Sequence, residues 1–257
     1  MSERIAVFGG IYSNHFALRA LLHDVQQRGI ERVFCLGDLG AFGPHPDRVF
    51  PLLRQAGVAT IQGNYDHSIG HDLADCQCGY TDPKDNFFAK LSYDYTYRNT
   101  APENKAWMRA LPAELRLELG GKRVLLCHGS PRKTNEFVWE TTSSSAFLER
   151  LCAEHEADVV IGTHSGLPWQ RALSADRRWI NCGAIGRPAN DGSLEVWYAI
   201  VGPQGAEFVP LGYDHAALAA EMRAEKLPEE FVETIETGWW TTCLEILPAK
   251  ERARGKF

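Results

Sequence analysis

No apolar run in the chain reaches the roughly 18 residues that a membrane-spanning helix needs, so no membrane association is expected. The first ten residues, MSERIAVFGG, lack the basic segment and long apolar core of a secretory signal, and a cytoplasmic location is expected. A basic balance is missing too. The formal charge of -6 disfavours broad nucleic-acid binding through a basic face. Seven cysteines, an odd number in a chain without a signal, predict reduced thiols and not a disulfide framework. There is no internal repeat and no low-complexity linker. With 257 residues, 44% of them hydrophobic, the chain can bury a sizeable core in one domain over 1–257.

What is present is an alternation of short apolar runs and helical patterns. IAVFG (5–9) reads as a strand that passes through GGIYSN into a helix from about His15 to Arg28. Ala17, Leu18, Leu21, Leu22 and Val25 form its apolar stripe, and Gly29 stops it. VFCL (33–36) is uninterrupted by polar residues, as a strand buried on both faces is. After the loop GDLGAFGPHP comes a helix to about Ala56, with Pro51 placing its start late or kinking it. VATI (58–61) is a third strand, and the series predicts parallel pairing with right-handed crossovers.

The pattern is lost between 70 and 104. The aromatics there (Tyr80, Phe87, Phe88, Tyr93, Tyr95, Tyr97) predict a packed lid that mixes loop and helix. A short helix over 102–112 follows, then a hairpin turning on Gly120–Gly121, a helix near 143–155 and strands at 159–162 and 179–183. Residues 194–201 and 206–211 read as antiparallel edge strands, and 214–257 as a helical tail with an unassigned end.

Four polar residues each follow one of the apolar runs: Asp38, Asn64, His128 and His164. Strand C-termini form the binding crevice of an open α/β sheet, so these side chains are expected to meet in a metal site. One carboxylate, one amide oxygen and two imidazoles suit Mn, Fe, Zn, Ni or Co. Taken singly, Asp38 and Asn64 are ordinary turn and cap residues.

The stretches that carry them are GDLGAFGPHP (37–46), GNYD (63–66), LLCHGSP (125–131) and VVIGTHSGLP (159–168), followed by INCGAIGRP (180–188). In this order, each at a strand end, they resemble the motifs of the calcineurin-like metallophosphoesterase superfamily over about residues 4–230. The resemblance implies a four-layer αββα sandwich and a site for two metals. It also implies that one half of that site is missing. The family's Asp-x-His falls on Gly10 and Tyr12, and the second His of its Gly-His-x-His falls on Gly166. The ligands of the other metal stand, Asp38 (bridging in relatives), Asn64, His128 and His164, so about one ion per chain is expected. The hydroxide clamped between two metals about 3.5–4 Å apart would then be lost.

The family's proton donor, the His of GNH[DE], is Tyr65 here. A phenol with a pKa near 10 donates a proton or hydrogen bond but is a poor base at pH 7. Tyr12 and Tyr65 are candidate catalytic residues, with hydrophobic filling of the vacated half-site as their alternative. His67 is a second candidate for proton transfer, and Arg187 and Asn14 are candidates for substrate binding. Cys76 and Cys78 read as two thiols, and Trp239–Trp240 as packing against a sheet edge. The leading expectation is a metal-dependent hydrolase acting on a small phosphoester. Non-phosphoester chemistry at a single ion and a non-catalytic scaffold stay open, and a homo-oligomer is compatible with the sequence.

Overall fold

The first third of the chain alternates strand and helix: β1 (Ile5–Phe8), α1 (His15–Gln27), β2 (Val33–Cys35), α2 (Val49–Gln55), β3 (Ala59–Thr60) and α3 (Asn64–Gly70). The computed structural model describes residues 4–253. In α1, Asn14 caps the N-terminus by accepting from Ala17 N, and Ala17, Leu18, Leu21 and Val25 are buried at helical spacing. A 3₁₀ turn at Pro46–Arg48 precedes α2, which leaves Pro51 in the first turn, where the missing N–H costs nothing.

The next elements are α4 (Pro83–Asn99), α5 (Pro102–Ala110), β4 (Glu114–Leu119), β5 (Lys122–Cys127), α6 (Ser145–Glu154), β6 (Val159–Gly162), β7 (Pro168–Ala172) and β8 (Arg178–Cys182). Then come β9 (Val196–Gly202), β10 (Gly205–Leu211), α7 (His215–Ala224), α8 (Glu229–Thr237) and α9 (Ala249–Arg252). The strands make two five-stranded sheets, ordered β10-β9-β1-β2-β3 and β4-β5-β6-β8-β7. In the first, β1, β2 and β3 are parallel and β9 and β10 pair antiparallel on one side; in the second, β5, β6 and β8 are parallel and the two edge strands antiparallel.

Side-chain alternation along the strands builds the layers. Ile5 and Val7 of β1 meet Val124 and Leu126 of β5 in a core between the sheets. The alternate residues point outward. Ala6 and Phe8 pack on α1 and α2, while Leu125 and Cys127 pack on Leu148 and Leu151 of α6. The result is the αββα sandwich, with β strands buried on both faces, hence their continuous apolar runs. No helix among the described residues is long and apolar enough to cross a membrane.

Two strands differ from the expectation. β9 is not an edge strand; it lies between β10 and β1. β7, the real edge of the second sheet, escaped notice because PWQRA begins with proline and carries two polar residues. The 70–104 segment holds a stretch of loop followed by the 17-residue helix α4, which is tied down on several sides. Ser92 accepts from Phe42 N and Tyr65 Oη, Tyr93 donates to Leu73 O, and Tyr95 donates to Glu225. Its Phe88 joins the apolar faces of α7 and α8.

Candidate metal centre

The loops that leave β1, β2, β3, β5 and β6 at their C-terminal ends are laced together by backbone bonds. Gly10 N, Tyr12 N and Ser13 N donate to Gly37 O, Asp38 O and Leu39 O at 2.8–3.1 Å, and His164 N donates to His128 O. Tyr12, Ser13 and Asp38 all have positive φ (49°, 59° and 56°), a costly conformation for residues with a Cβ. Such strain persists where surrounding structure over-determines it, and it clusters at functional sites. Asp66 does much of the holding. Its carboxylate accepts from Asp38 N, Leu39 N and Gly63 N at 2.7–3.1 Å, and so fixes the loop that carries Asp38 against the start of α3. Burial and the neighbouring Asp38 charge push the Asp66 carboxyl up to about 6, against those three amide donors.

Asp38, His128 and His164 converge, with one ligand atom from each within 4.8 Å of the others. His128 Nε2 lies 3.3 Å from Asp38 Oδ2 and 3.1 Å from His164 Nδ1. The far nitrogen of each imidazole is committed elsewhere. His128 Nδ1 donates to Leu36 O at 2.6 Å, and His164 Nε2 to Cys78 O at 3.2 Å. A neutral imidazole has one donor nitrogen, so His128 Nε2 and His164 Nδ1 turn lone pairs toward the same point as the carboxylate. Three electron pairs aimed at one point favour a positive charge there. Donors bound about 2.1 Å from one ion lie about 3.0–3.4 Å apart at right-angled to tetrahedral geometry, which matches these spacings.

The fourth member adds to the fit. Asn64 opens α3, and its Nδ2 donates to Cys76 O at 2.8 Å. Its Oδ1 is buried and has no hydrogen-bond partner among the described residues. An orphaned amide oxygen in the interior is costly unless something accepts its electron pair.

Electrostatics show that this point attracts positive charge, since Asp38 and His128 favour a proton between them that a bound cation would displace. Burial pushes the Asp38 carboxyl up, but the charge and hydrogen bond of His128 outweigh it and hold Asp38 below the usual carboxylate range. Burial pulls His128 down, and Asp38 more than restores it. Burial and the nearby His128 charge lower His164 to about 3, so this imidazole stays neutral. The N/O donor set present therefore suits a divalent transition ion.

On the other side of Asp38 the site changes character. A Cβ at Gly10, whose φ is 53°, would fall 2.8 Å from both Ala184 Cβ and Tyr12 Cζ, too close for any side chain without a shift. Gly166 has a φ of 71°, and a Cβ there would touch the Trp240 ring at 3.7 Å, so a longer side chain would run into indole. Tyr12 is wedged so closely that a Cβ at Gly186 would lie 2.4 Å from its own Cβ. On this side of Asp38 the Tyr12 ring lies against Gly10 and the Trp240 ring against Gly166.

The Arg187 guanidinium lies on these rings, 3.5 Å from the Trp240 centroid, 4.7 Å from Phe42 and 5.7 Å from Tyr12. Arg187 is 7% exposed, and its Nε has no hydrogen-bond partner. Among the described residues no carboxylate pairs with it. It lines a small cavity of about 10 Å³, room for about one water, walled by Phe42, Gly186, Phe231 and Thr242. Burial raises the Tyr12 phenol well above its ordinary value; Arg187 opposes this and Asp38 adds to it.

The other candidates lie apart from this centre. Tyr65 donates its hydroxyl to Ser92 of α4, with its ring against Tyr93. It follows Asn64 in a helix, and a 100° step per residue turns it away from the ligand face. His67 is exposed, bonded to Gln62 and stacked on His71. Asn14 spends its amide on Ile185 O, Gly186 O and the cap of α1, so it clasps the loop that carries Arg187. Three further residues lie beside the site. Trp240 is 2% exposed and donates from Nε1 to Pro188 O, a wall of the site supplied by the C-terminal tail. Cys76 and Cys78, expected as free thiols, are bonded to each other beside Asn64. The five remaining cysteines are buried and free.

Comparison with known proteins gives a consistent setting. Residues 4–202 match the model of the calcineurin-like phosphoesterase superfamily domain. An uncharacterised protein of Methanocaldococcus jannaschii is 26% identical over 255 residues, covering 93% of this chain and 99% of the relative. The crystal structure of a metallophosphoesterase from Sphaerobacter thermophilus superposes with a TM-score of 0.69 at 25% identity, over 91% of this chain and 98% of the other. A hypothetical protein from Pyrococcus horikoshii shares the fold at a TM-score of 0.77 and 22% identity, over 93% and 99%.

Proposed function

This chain belongs to the calcineurin-like phosphoesterase superfamily, and we propose that it is a phosphoesterase for a small substrate that works with one divalent ion and one arginine in place of two ions. The observation that carries the reading is the convergence of His128 Nε2, His164 Nδ1 and Asp38 Oδ2 with both imidazole N–H groups already spent on backbone carbonyls. Asp38, Asn64, His128 and His164 would hold the ion. When bound, it would polarise a phosphoryl oxygen and acidify a coordinated water.

Arg187 supports the second half of the reading. A buried charge without a counter-ion is costly, and three aromatic faces offset only part of that cost. Ring faces leave the N–H donors unspent. A planar fork of donors, always charged, suits the oxygens of a phosphoryl group, and it supplies the positive charge that a second metal gives in other members. What an arginine does not supply is a second activated water. Tyr12 stands between Asp38 and Arg187 in charge terms and remains protonated, so its role is to donate a hydrogen bond to a substrate or leaving-group oxygen.

Metal content measured by mass spectrometry on the purified protein, with Asp38→Ala and His128→Ala in parallel, tests the reading. The expected result is about one ion per chain in the parent, lost in both variants, with hydrolysis of a nitrophenyl phosphodiester or monoester that follows the metal. Failure to bind any divalent ion after reconstitution would falsify it, and a metal-loaded protein that cleaves no phosphoester would redirect it to other chemistry.

A further inference from the structure

Each sheet has two edges, and three of the four are closed. β3 offers only two residues. β7 and β10 are clasped to each other: the Gln170 amide of β7 donates to Ala206 O of β10 at 2.7 Å and accepts from Ala206 N at 3.1 Å, as a neighbouring strand would. β4 is different. It runs six residues in unbroken register with β5, without proline or bulge, and no strand among the described residues pairs with its other side. Proteins usually blunt such an edge, because its open backbone groups are a template for another strand. The open groups can be named. Arg123 of β5 gives its N–H to the Asp158 carboxylate and its C=O to Asp158 N, on the side away from β4. Its cross-strand partner Glu118 therefore turns its own N–H and C=O outward, and by alternation so do Arg116 and Glu114. Arg116 and Glu118 are exposed, and the Glu118 carboxylate has no partner among the described residues. On the opposite face Leu115 and Leu117, with Phe34 of β2, are only partly buried at the rim of the core between the sheets.

We propose that the β4 edge pairs antiparallel with β4 of a second copy of this chain, with Leu117 opposite Leu117 of the copy. Charge selects this register. A two-fold axis that sets Arg116 against Arg116 also sets Glu114 against Glu118, like against like throughout, which is unfavourable in directly opposed pairs. Moving the axis to Leu117 puts Arg116 opposite the copy's Glu118 and Glu118 opposite the copy's Arg116. Both residues have outward backbone groups, so they exchange N–H···O bonds, and Leu117 meets Leu117 in the non-hydrogen-bonded pair between them. Leu115 then faces Leu119. An axis at Leu115 also opposes unlike charges, Glu114 and Arg116, but it pairs only residues 114–116 of the strand, against 115–119 here. The pairing joins two five-stranded sheets edge to edge, satisfies the open backbone groups, gives Glu118 a partner and covers the half-buried leucines.

Sedimentation velocity over about 1 μM to about 1 mM protein tests this without reference to activity. The parent should pass from monomer to dimer within that range, as suits an interface of modest area. Glu118→Arg sets arginine against arginine and should stay monomeric, and Arg116→Glu should do the same with glutamates. The double variant Arg116→Glu/Glu118→Arg restores unlike charges across the axis and should dimerise like the parent. A second readout is covalent. Leu117→Cys should form an interchain disulfide on mild oxidation, since Cα atoms of a non-hydrogen-bonded pair lie about 4.5 Å apart, within disulfide reach. Leu115→Cys should not, because its own copy is not opposite. A parent that stays monomeric to the top of the range overturns the pairing. So does a dimer that survives Glu118→Arg, a double variant that stays monomeric, or cross-linking at 115 in place of 117.

Discussion

The two sides of Asp38 differ in what they do with positive charge. On one side, Asp38, His128, His164 and Asn64 present electron pairs whose only missing partner is a cation. On the other, Tyr12, Trp240 and Phe42 surround a cation that the protein supplies itself, the Arg187 guanidinium. On the proposed reading, the chain would have exchanged one removable charge for a fixed one. A fixed guanidinium needs no ligands, only ring faces, so glycine at 10 and 166 is no defect. Those positions had to shrink to let Tyr12 and Trp240 in.

Breaking the ligand side should have the largest effect. Asp38→Ala or His128→Ala is expected to remove stoichiometric metal and lower phosphoesterase activity by more than about 100-fold, since loss of even a supporting partner typically costs 10–100-fold in metal affinity. Dialysis against a chelator should do the same to the parent, reversibly.

Next comes the aromatic wall. Trp240→Ala should destabilise by about 3–5 kcal/mol in urea unfolding, as truncation of a buried aromatic does, and should raise KM by taking away the surface on which Arg187 lies. A variant as stable as the parent would mean that the tail is not part of the site.

Arg187→Ala should leave metal content unchanged and raise KM about 10- to 100-fold, the worth of a charged hydrogen bond or two at about 1.5–3 kcal/mol each. Lysine at 187 should rescue little, because a point charge lacks the planar fork.

Smaller again is Tyr12→Phe. Burial holds the Tyr12 hydroxyl protonated well past its ordinary range. The variant should therefore lose about 10-fold in rate while keeping the shape of the pH–rate profile between about pH 6 and pH 10. A basic limb that vanishes with the hydroxyl would contradict this. Tyr65→Phe and His67→Ala should be within about twofold of the parent, since neither side chain faces the centre. The first should cost only about 1 kcal/mol of stability for the bond to Ser92.

Why the two sides were unequally legible in the sequence follows from how they are built. Each candidate ligand of the metal side follows its own strand within a few residues, so a local apolar run and the polar residue after it announce it. Parallel strands alternating with helices were legible for the same reason, and the αββα arrangement came from the resemblance of the motifs at their ends. The aromatic side depends on contacts across long stretches of chain. Trp240 covers Gly166 from 74 positions away, and nothing near either residue announces the other. For Tyr65 the motif gives the position but not the helical turn that carries its hydroxyl to Ser92 of α4. Asn14 looked available because its neighbours are small and polar, but its amide is consumed by Ile185 and Gly186. The disulfide was invisible for a different reason: two cysteines one residue apart do not reveal their redox state, and the loop geometry that joins them is set by Asn64 and His164.

The most direct measurement is the number of divalent ions per chain, determined on the parent and on a Gly10→Asp, Tyr12→His, Gly166→His triple variant that restores the family's missing ligands. If rings and Arg187 have replaced the first metal, both proteins bind about one ion, because the restored side chains meet Trp240, Ala184 and a fixed positive charge. Two ions in the parent, or none, would contradict the exchange of a metal for an arginine.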